Sequence, residues 1–373
     1  MIRRDFLLTG AMLPGAAASA PPAKSDDSPA YRIVTAYKPT PHWQSPGHVV
    51  RVHSAASIDE ATETANPSAV AAMVAAGMSR LTGQKNPRDA WRMLFTPADV
   101  VGIKVNASGA PKIMSHPVVV AEIVRRLTEA GVKPTNIVIY ERFPDQLESI
   151  HYEKYLHTKI EQAAVEPHRG VLKAYDPRTY VDVNFFGEED TRSFAIRMIT
   201  ERFTKIINVP NMKDHGASGV TGCLKNMAYG SFNNVARSHA FSKTHCRTFI
   251  GTLAAVEPVR SRFVLHVMDG LKGIWHGGPF QRDKRFAFFP KQMMFGTDPV
   301  AMDRIMFDVV EARRKAEGAV SVTDRGIETT RNVDPLNPNK NRYIREPGHI
   351  DYSASLGLGI LDKSKIRLEE IRL

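Results

Sequence analysis

The sequence predicts an α/β protein with a mainly parallel sheet, helices on both faces, βαβ units and a ligand site at strand ends. Three neighbouring observations carry that expectation. Residues 99–105, DVVGIKV, form the nearly continuous apolar run that a parallel strand buried on both faces requires. Residues 116–131, HPVVVAEIVRRLTEAG, follow with helical apolar spacing, Pro117 at the start and Gly131 in the cap position. Residues 136–140, NIVIY, then complete strand, helix, strand, a unit whose crossover is almost always right-handed. Lys104-Val105-Asn106 therefore lies at the carboxyl end of a parallel strand, where open α/β sheets bind ligands.

The remaining elements follow in order. Residues 1–20, MIRRDFLLTGAMLPGAAASA, combine Arg3-Arg4, a modest apolar stretch and Ala18-Ser19-Ala20 as a cleavage site. This is the pattern of a twin-arginine export signal, so a periplasmic location and the twin-arginine export machinery as a partner are expected. That route carries folded proteins, which makes a preloaded nucleotide-like or metal cofactor an expectation too, its identity unknown. No stretch reaches the roughly 18 uninterrupted apolar residues of a spanning helix. Residues 21–47 read as a linker rich in proline and serine, and 48–373 as one α/β domain. Within it, 48–53 and 291–295 are expected strands, 66–81 and 89–95 helices, and 365–373 an edge strand. Residues 142–200 stay unassigned, with Phe185, Phe186, Phe194, Ala195 and Ile196 as core anchors. A helix over 244–259 and a strand over 262–268, ending in Asp269-Gly270, precede a glycine-rich loop with Trp275 and His276. Thr297-Asp298-Pro299 caps a helix running to about residue 315, with Asp303 expected to pair with Arg304 or another base.

Composition narrows the function. The chain has 373 residues, 43% hydrophobic and 24% charged, which suits a globular unit with a large core. Its formal charge of +11 favours anionic partners, while no nucleic-acid-binding signature appears. Cys223 and Cys246 either pair or, since Cys223 lies in a glycine-rich stretch, stay as buried thiols. Two cysteines cannot supply the four thiolates of an ordinary cubane cluster, so no iron–sulfur cluster is expected.

The chemistry concentrates in residues 206–234, IINVPNMKDHGASGVTGCLKNMAYGSFNN. A short strand stops at Pro210 and opens into a loop rich in glycine, lysine and histidine, a composition suited to an anion nest. Lys225 is a candidate base or nucleophile and His215 a proton-transfer group, against a surface lysine and a histidine bound to turn backbone. Asp269 would orient a lysine or bind a cation, against an Asx turn. Lys104, Asn106, Lys213 and Asn226 are candidate ligand contacts, with Gly219, Thr221 and Gly222 as the oxyanion or phosphate cradle. His239 and His245, with Cys246, are weak metal candidates without the paired spacing of a zinc site.

As an ordered set, Ile103-Lys104-Val105-Asn106, Val209-Pro210-Asn211-Met212-Lys213-Asp214-His215, Gly219-Val220-Thr221-Gly222-Cys223-Leu224-Lys225-Asn226, Met268-Asp269-Gly270, Gly278-Pro279 and Gly296-Thr297-Asp298-Pro299 resemble the family of domain of unknown function 362. The resemblance runs from about residue 48 onward. Many relatives carry a ferredoxin-like cysteine set that this chain lacks, so it lends no support to electron transfer. The histidine, glycine-rich turn and lysine spacing of His215 to Lys225 is also similar to the cofactor-anchoring segment of nickel-pincer lactate racemases. That similarity implies Lys225 as a covalent anchor, His215 as acid or base and His239 as nearest to a nickel ligand. Together these readings point to an exported enzyme acting on an anionic small molecule, or to a non-catalytic envelope protein that captures an anion or metal complex.

Overall fold

The computed structural model describes residues 29–166, 172–239, 244–324, 336–339 and 347–373; the export signal expected at 1–20 lies outside them. The strands are β1 (Arg32–Val34), β2 (His48–His53), β3 (Val101–Val105), β4 (Ile137–Glu141), β5 (Glu161–Ala164), β6 (Tyr175–Asp182), β7 (Arg192–Ile196), β8 (Lys205–Val209), β9 (Asn211–His215), β10 (Gly219–Thr221), β11 (Phe263–Ile274), β12 (Ala287–Phe288), β13 (Gln292–Gly296) and β14 (Arg367–Arg372). The helices are α1 (Pro67–Thr82), α2 (Pro87–Arg92), α3 (Pro117–Ala130), α4 (Pro144–Glu148), α5 (Cys223–Tyr229), α6 (Cys246–Ala254), α7 (Val259–Arg262), α8 (Pro299–Ala316) and α9 (His349–Ser355).

Eleven strands form one mixed sheet, whose main path runs β14-β2-β13-β11-β8-β3-β4-β5. Along that path only β13 runs against its neighbours, so the sheet is mostly parallel, as the sequence predicts. Alternate residues of each strand enter opposite cores. Ile137 and Ile139 face one core with α1, α2 and α3, whereas Val138 and Tyr140 face the other with α5, α6 and α8. Both faces are therefore covered by helices, the usual condition for a parallel sheet.

The βαβ unit forms as its sequence dictates. His116 caps α3, its Nδ1 accepting the N–H of Val118 at 3.2 Å. Gly131 ends the helix at φ 109°, a left-handed position that an L side chain resists. Asp298 caps α8 through the N–H of Ala301, and β14 forms the parallel edge strand beside β2.

Three local expectations change. The run 262–268 does not end at Met268: β11 continues to Ile274, held on both sides by β9 and β13, so Asp269-Gly270 is mid-strand. The stretch from 21 to 47 is not all linker, because β1 pairs with β6 and β7 in a separate antiparallel sheet. Those strands also organise part of 142–200, where Ala195 and Ile196 are buried but Phe186 is 48% exposed, its ring resting against Phe185 and His245 rather than inside the core. Cys223 and Cys246 are both buried thiols and form no disulfide, so the thiol alternative holds. No helix among the described residues is long and apolar enough to cross a membrane.

Candidate functional site

Pro210 interrupts the sheet beside β3. Up to Val209 the chain pairs with both β3 and β11; beyond Pro210, β9 follows β11 and folds back as a hairpin with β10. Lys213, Asp214 and His215 are therefore strand residues, not the loop that the glycines suggest. The hairpin register sets Thr221 opposite Lys213 and Gly219 opposite His215. Strand alternation puts these four on one face and Asp214 on the other. Asp214 ties the hairpin down, accepting the N–H of Gly278 at 2.7 Å with the Arg314 guanidinium 3.7 Å away.

The expected glycine-rich anion cradle is occupied from within. The Asp303 carboxylate accepts the N–H groups of Cys223 and Leu224 at 2.5 and 2.9 Å, capping the N-terminus of α5. A Cβ on Gly222 would stand 2.1 Å from Asp303 Oδ1, so the glycine makes room for this cap. Asp303 thus does not pair with Arg304, which bonds Asp308 at 2.6 Å. Its carboxylate offsets the unfavourable field that a lysine meets near a helix start.

Lys225, one turn into α5, is 6% exposed. Its Nζ lies 3.4 Å from Ser218 Oγ and 3.3 Å from His239 Nε2, with the Tyr229 ring centroid 5.2 Å away. Burial lowers its pKa to about 7. Lys213 is fully buried and donates to the Ser108 carbonyl at 2.5 Å. Burial, with the ammonium of Lys225 adding to it, lowers Lys213 to about 7 as well. His239 is pushed down to about 3 by burial and by Lys225, so it is a neutral acceptor.

Lys104, Asn106 and Asn226 form a second layer, hydrogen-bonded to one another. Lys104 Nζ donates to Glu141 Oε1 at 2.9 Å and Asn226 Oδ1 at 3.2 Å, so this lysine is an ion-pair partner rather than an open anion contact. Asn226 Oδ1 also accepts Asn106 Nδ2 at 3.2 Å, and its Nδ2 donates to Asn208 Oδ1 at 2.7 Å. Asn208 then meets His266 Nδ1 at 3.0 Å. Asn106 Oδ1 and Thr221 Oγ1 are among the buried side-chain atoms of the described residues that make no hydrogen bond.

Of the other candidates, His215 stays beside the cluster, its ring 5.3 Å from that of His239, while Asp269 and His245 lie elsewhere. His215 Nδ1 accepts the N–H groups of Ala217 and Ser218 at 3.1 and 3.4 Å, bracing the hairpin turn. Asp269 accepts the N–H groups of His116 and Leu271 at 2.6 and 3.0 Å. It lines a separate small cavity of about 80 Å³ with Glu63, His116, Asn211 and Lys272. Burial raises its pKa to about 6. His245 stacks on Phe185 at 4.4 Å while His239 faces Lys225, and no cluster of three metal-ligating side chains occurs among the described residues.

Sequence reasoning missed Glu141, Asn208, Ser218 and His349. Glu141 directly follows the apolar residues 137–140 at a parallel strand's carboxyl end, a signal that was present. His349 has no local signal: it is brought near Lys225 by α9, more than a hundred residues away in sequence.

No curated protein matches the chain in sequence. Residues 101–308 match the family model described as Domain of unknown function (DUF362). The match spans β3 through the first half of α8 and includes Lys104, the hairpin, Lys225 and Asp303. With more than half of its length covered, the chain belongs to the DUF362 family.

Proposed function

We propose that this protein is an enzyme that binds an anionic small molecule or nucleotide-like cofactor at the lysine cluster, with Lys225 as its proton-transfer or covalent group. One observation carries the reading. Lys213 and Lys225 are two buried amines, the charge of Lys225 reaching Lys213, and neither has a carboxylate ion-pair partner among the described residues. An isolated buried cation is costly, so such amines lose protons or await an anion. At neutral pH each is substantially unprotonated, hence able to act as base or nucleophile. The Thr221 hydroxyl, without a hydrogen-bond partner, supplies a further donor. In this reading His215 braces the turn, and the proton-transfer role expected of it falls to Lys225.

The nickel-pincer cofactor implied by the racemase similarity fits poorly here. Around Lys225 stand Ser218, His239 and His349, with His215 beside His239, and no group of three His, Cys, Asp or Glu side chains placed to hold a metal occurs among the described residues. No step is routed through it. Full burial of the amines also suits a protein that only captures an anion; turnover separates the two readings. Export is part of the proposal, supported by Arg3-Arg4 and Ala18-Ser19-Ala20.

The test is a thermal-shift and calorimetric screen of inorganic phosphate, AMP and pyruvate against the wild type, Lys213→Met and Lys225→Met. The expected result is stabilisation of the wild type by at least one anion, with proton uptake on binding and loss of affinity in both variants. Unchanged affinity in Lys225→Met would overturn the assignment. For export, a mature mass starting at Pro21 from native-host material is expected.

A further inference from the structure

A cavity of about 410 Å³ lies against the turn of the β9–β10 hairpin, within the size range of small-molecule sites. Resting on the reading of Lys225 above, we propose that this cavity is the ligand pocket of that site and takes a small organic carboxylate with an apolar body.

Its lining is mostly apolar, with Val220 from β10, Phe307 from α8 and Ile350 from α9. Such a wall favours a hydrocarbon body and gives little to inorganic phosphate. Two polar groups give the pocket a direction. Ser218 lines it, and Ser218 Oγ lies 3.4 Å from Lys225 Nζ, so one hydroxyl separates the cavity from the candidate amine. His349 also lines it and is 1% exposed, its imidazole set against the Ser218 backbone with neither ring nitrogen in a hydrogen bond of good geometry. A neutral imidazole offers one donor and one acceptor, so at least one of them is open to a ligand.

The cation that favours an anion is Lys225, which stands behind Ser218; of the charged lining groups, Arg304 is already paired with Asp308 at 2.6 Å and Asp351 is a carboxylate. Gly219 keeps the pocket's edge clear: at φ 81°, a Cβ there would meet the Val322 carbonyl at 3.1 Å and Pro347 at 3.2 Å. A carboxylate in the pocket would accept from Ser218 or His349 and bring its charge toward Lys225, while its body covers the apolar wall.

The experiment is calorimetric titration of the full chain with hexanoate, hexan-1-ol and hexylamine. The variants are Leu361→Trp, which fills the pocket from its lining, His349→Phe, which keeps a buried ring without nitrogens, and Lys225→Met. Unfolding midpoints confirm that each variant folds. Hexanoate is expected to bind below about 1 mM and the alcohol and amine at least about tenfold more weakly, with about tenfold or greater losses in all three variants. Three results overturn the proposal: no hexanoate binding by the wild type, equal binding of the alcohol, or full binding by Leu361→Trp. If hexanoate binding survives Lys225→Met but not Leu361→Trp, the cavity is a separate site and the link to Lys225 falls. If hexanoate fails while phosphate or AMP binds through Lys225, the pocket assignment falls and the lysine reading stands.

Discussion

Asp303 on α8 accepts the backbone N–H groups of Cys223 and Leu224, so one helix supplies the anion that caps another, two residues before Lys225. Removing that carboxylate leaves two buried donors unmet. Asp303→Ala is expected to destabilise the protein by about 2 kcal/mol, with Asp303→Asn intermediate because one acceptor remains. Burial raises Asp303 from 3.8 to about 7, so the native state binds more protons than the unfolded chain across that window. Its contribution is therefore a stability loss as pH rises toward 7, which Asp303→Asn removes. Urea midpoints at pH 5 and 8 check both points.

Lys213 and Lys225 carry the opposite sign. Each falls from 10.5 to about 7, so between those values the unfolded chain binds more protons and stability rises with pH. Lys225→Met is expected to raise stability at pH 7 by about 1–3 kcal/mol and to flatten the slope between pH 7 and 10. Thermal melts across that range decide it; an unchanged slope would show that the amine is not desolvated.

The ion pair of Lys104 and Glu141 is buried at both ends, 1% and 6% exposed. Glu141→Ala strands the ammonium and is expected to cost about 3 kcal/mol, whereas Lys104→Met with Glu141→Gln recovers most of the loss. Gly230→Ala attacks the same pair, because its Cβ would stand 1.8 Å from Lys104 Cε. A double-mutant cycle by chemical denaturation measures the coupling.

Cys223 and Cys246 are buried thiols outside any disulfide, and burial raises the Cys223 thiol well above its ordinary range. Neither thiol is expected to react with Ellman's reagent until the protein unfolds, and the intact mass should show both reduced. Rapid labelling in the native state would contradict this packing.

Much of the scaffold was legible locally. The apolar run of β3, the capped helix α3 with Pro117 and Gly131, and the apolar β4 name their own conformations, because periodicity and caps act within one turn or strand. Lys213 and Lys225 were legible as chemistry, since lysines among glycines stand out in any environment. What they touch was not. Asp303 and Lys225 are 78 positions apart in sequence, and their link exists only because α8 packs on α5.

The same division explains the errors. Glycines in residues 216–222 suggest an anion-binding loop, but pairing with β11 makes a strand of residues 211–215 and Asp303 fills the nest. Asp269 seemed a strand end because Gly270 follows it, yet partners on both sides carry β11 on to Ile274. By itself, the sequence determined the fold class and the family's motif residues. Tertiary structure alone decided which polar side chains meet: it buried Lys225 and Lys213, paired Lys104 with Glu141, and brought His349 near Lys225. Local propensity acts over a few residues, whereas desolvation and ion pairing depend on neighbours that only packing supplies.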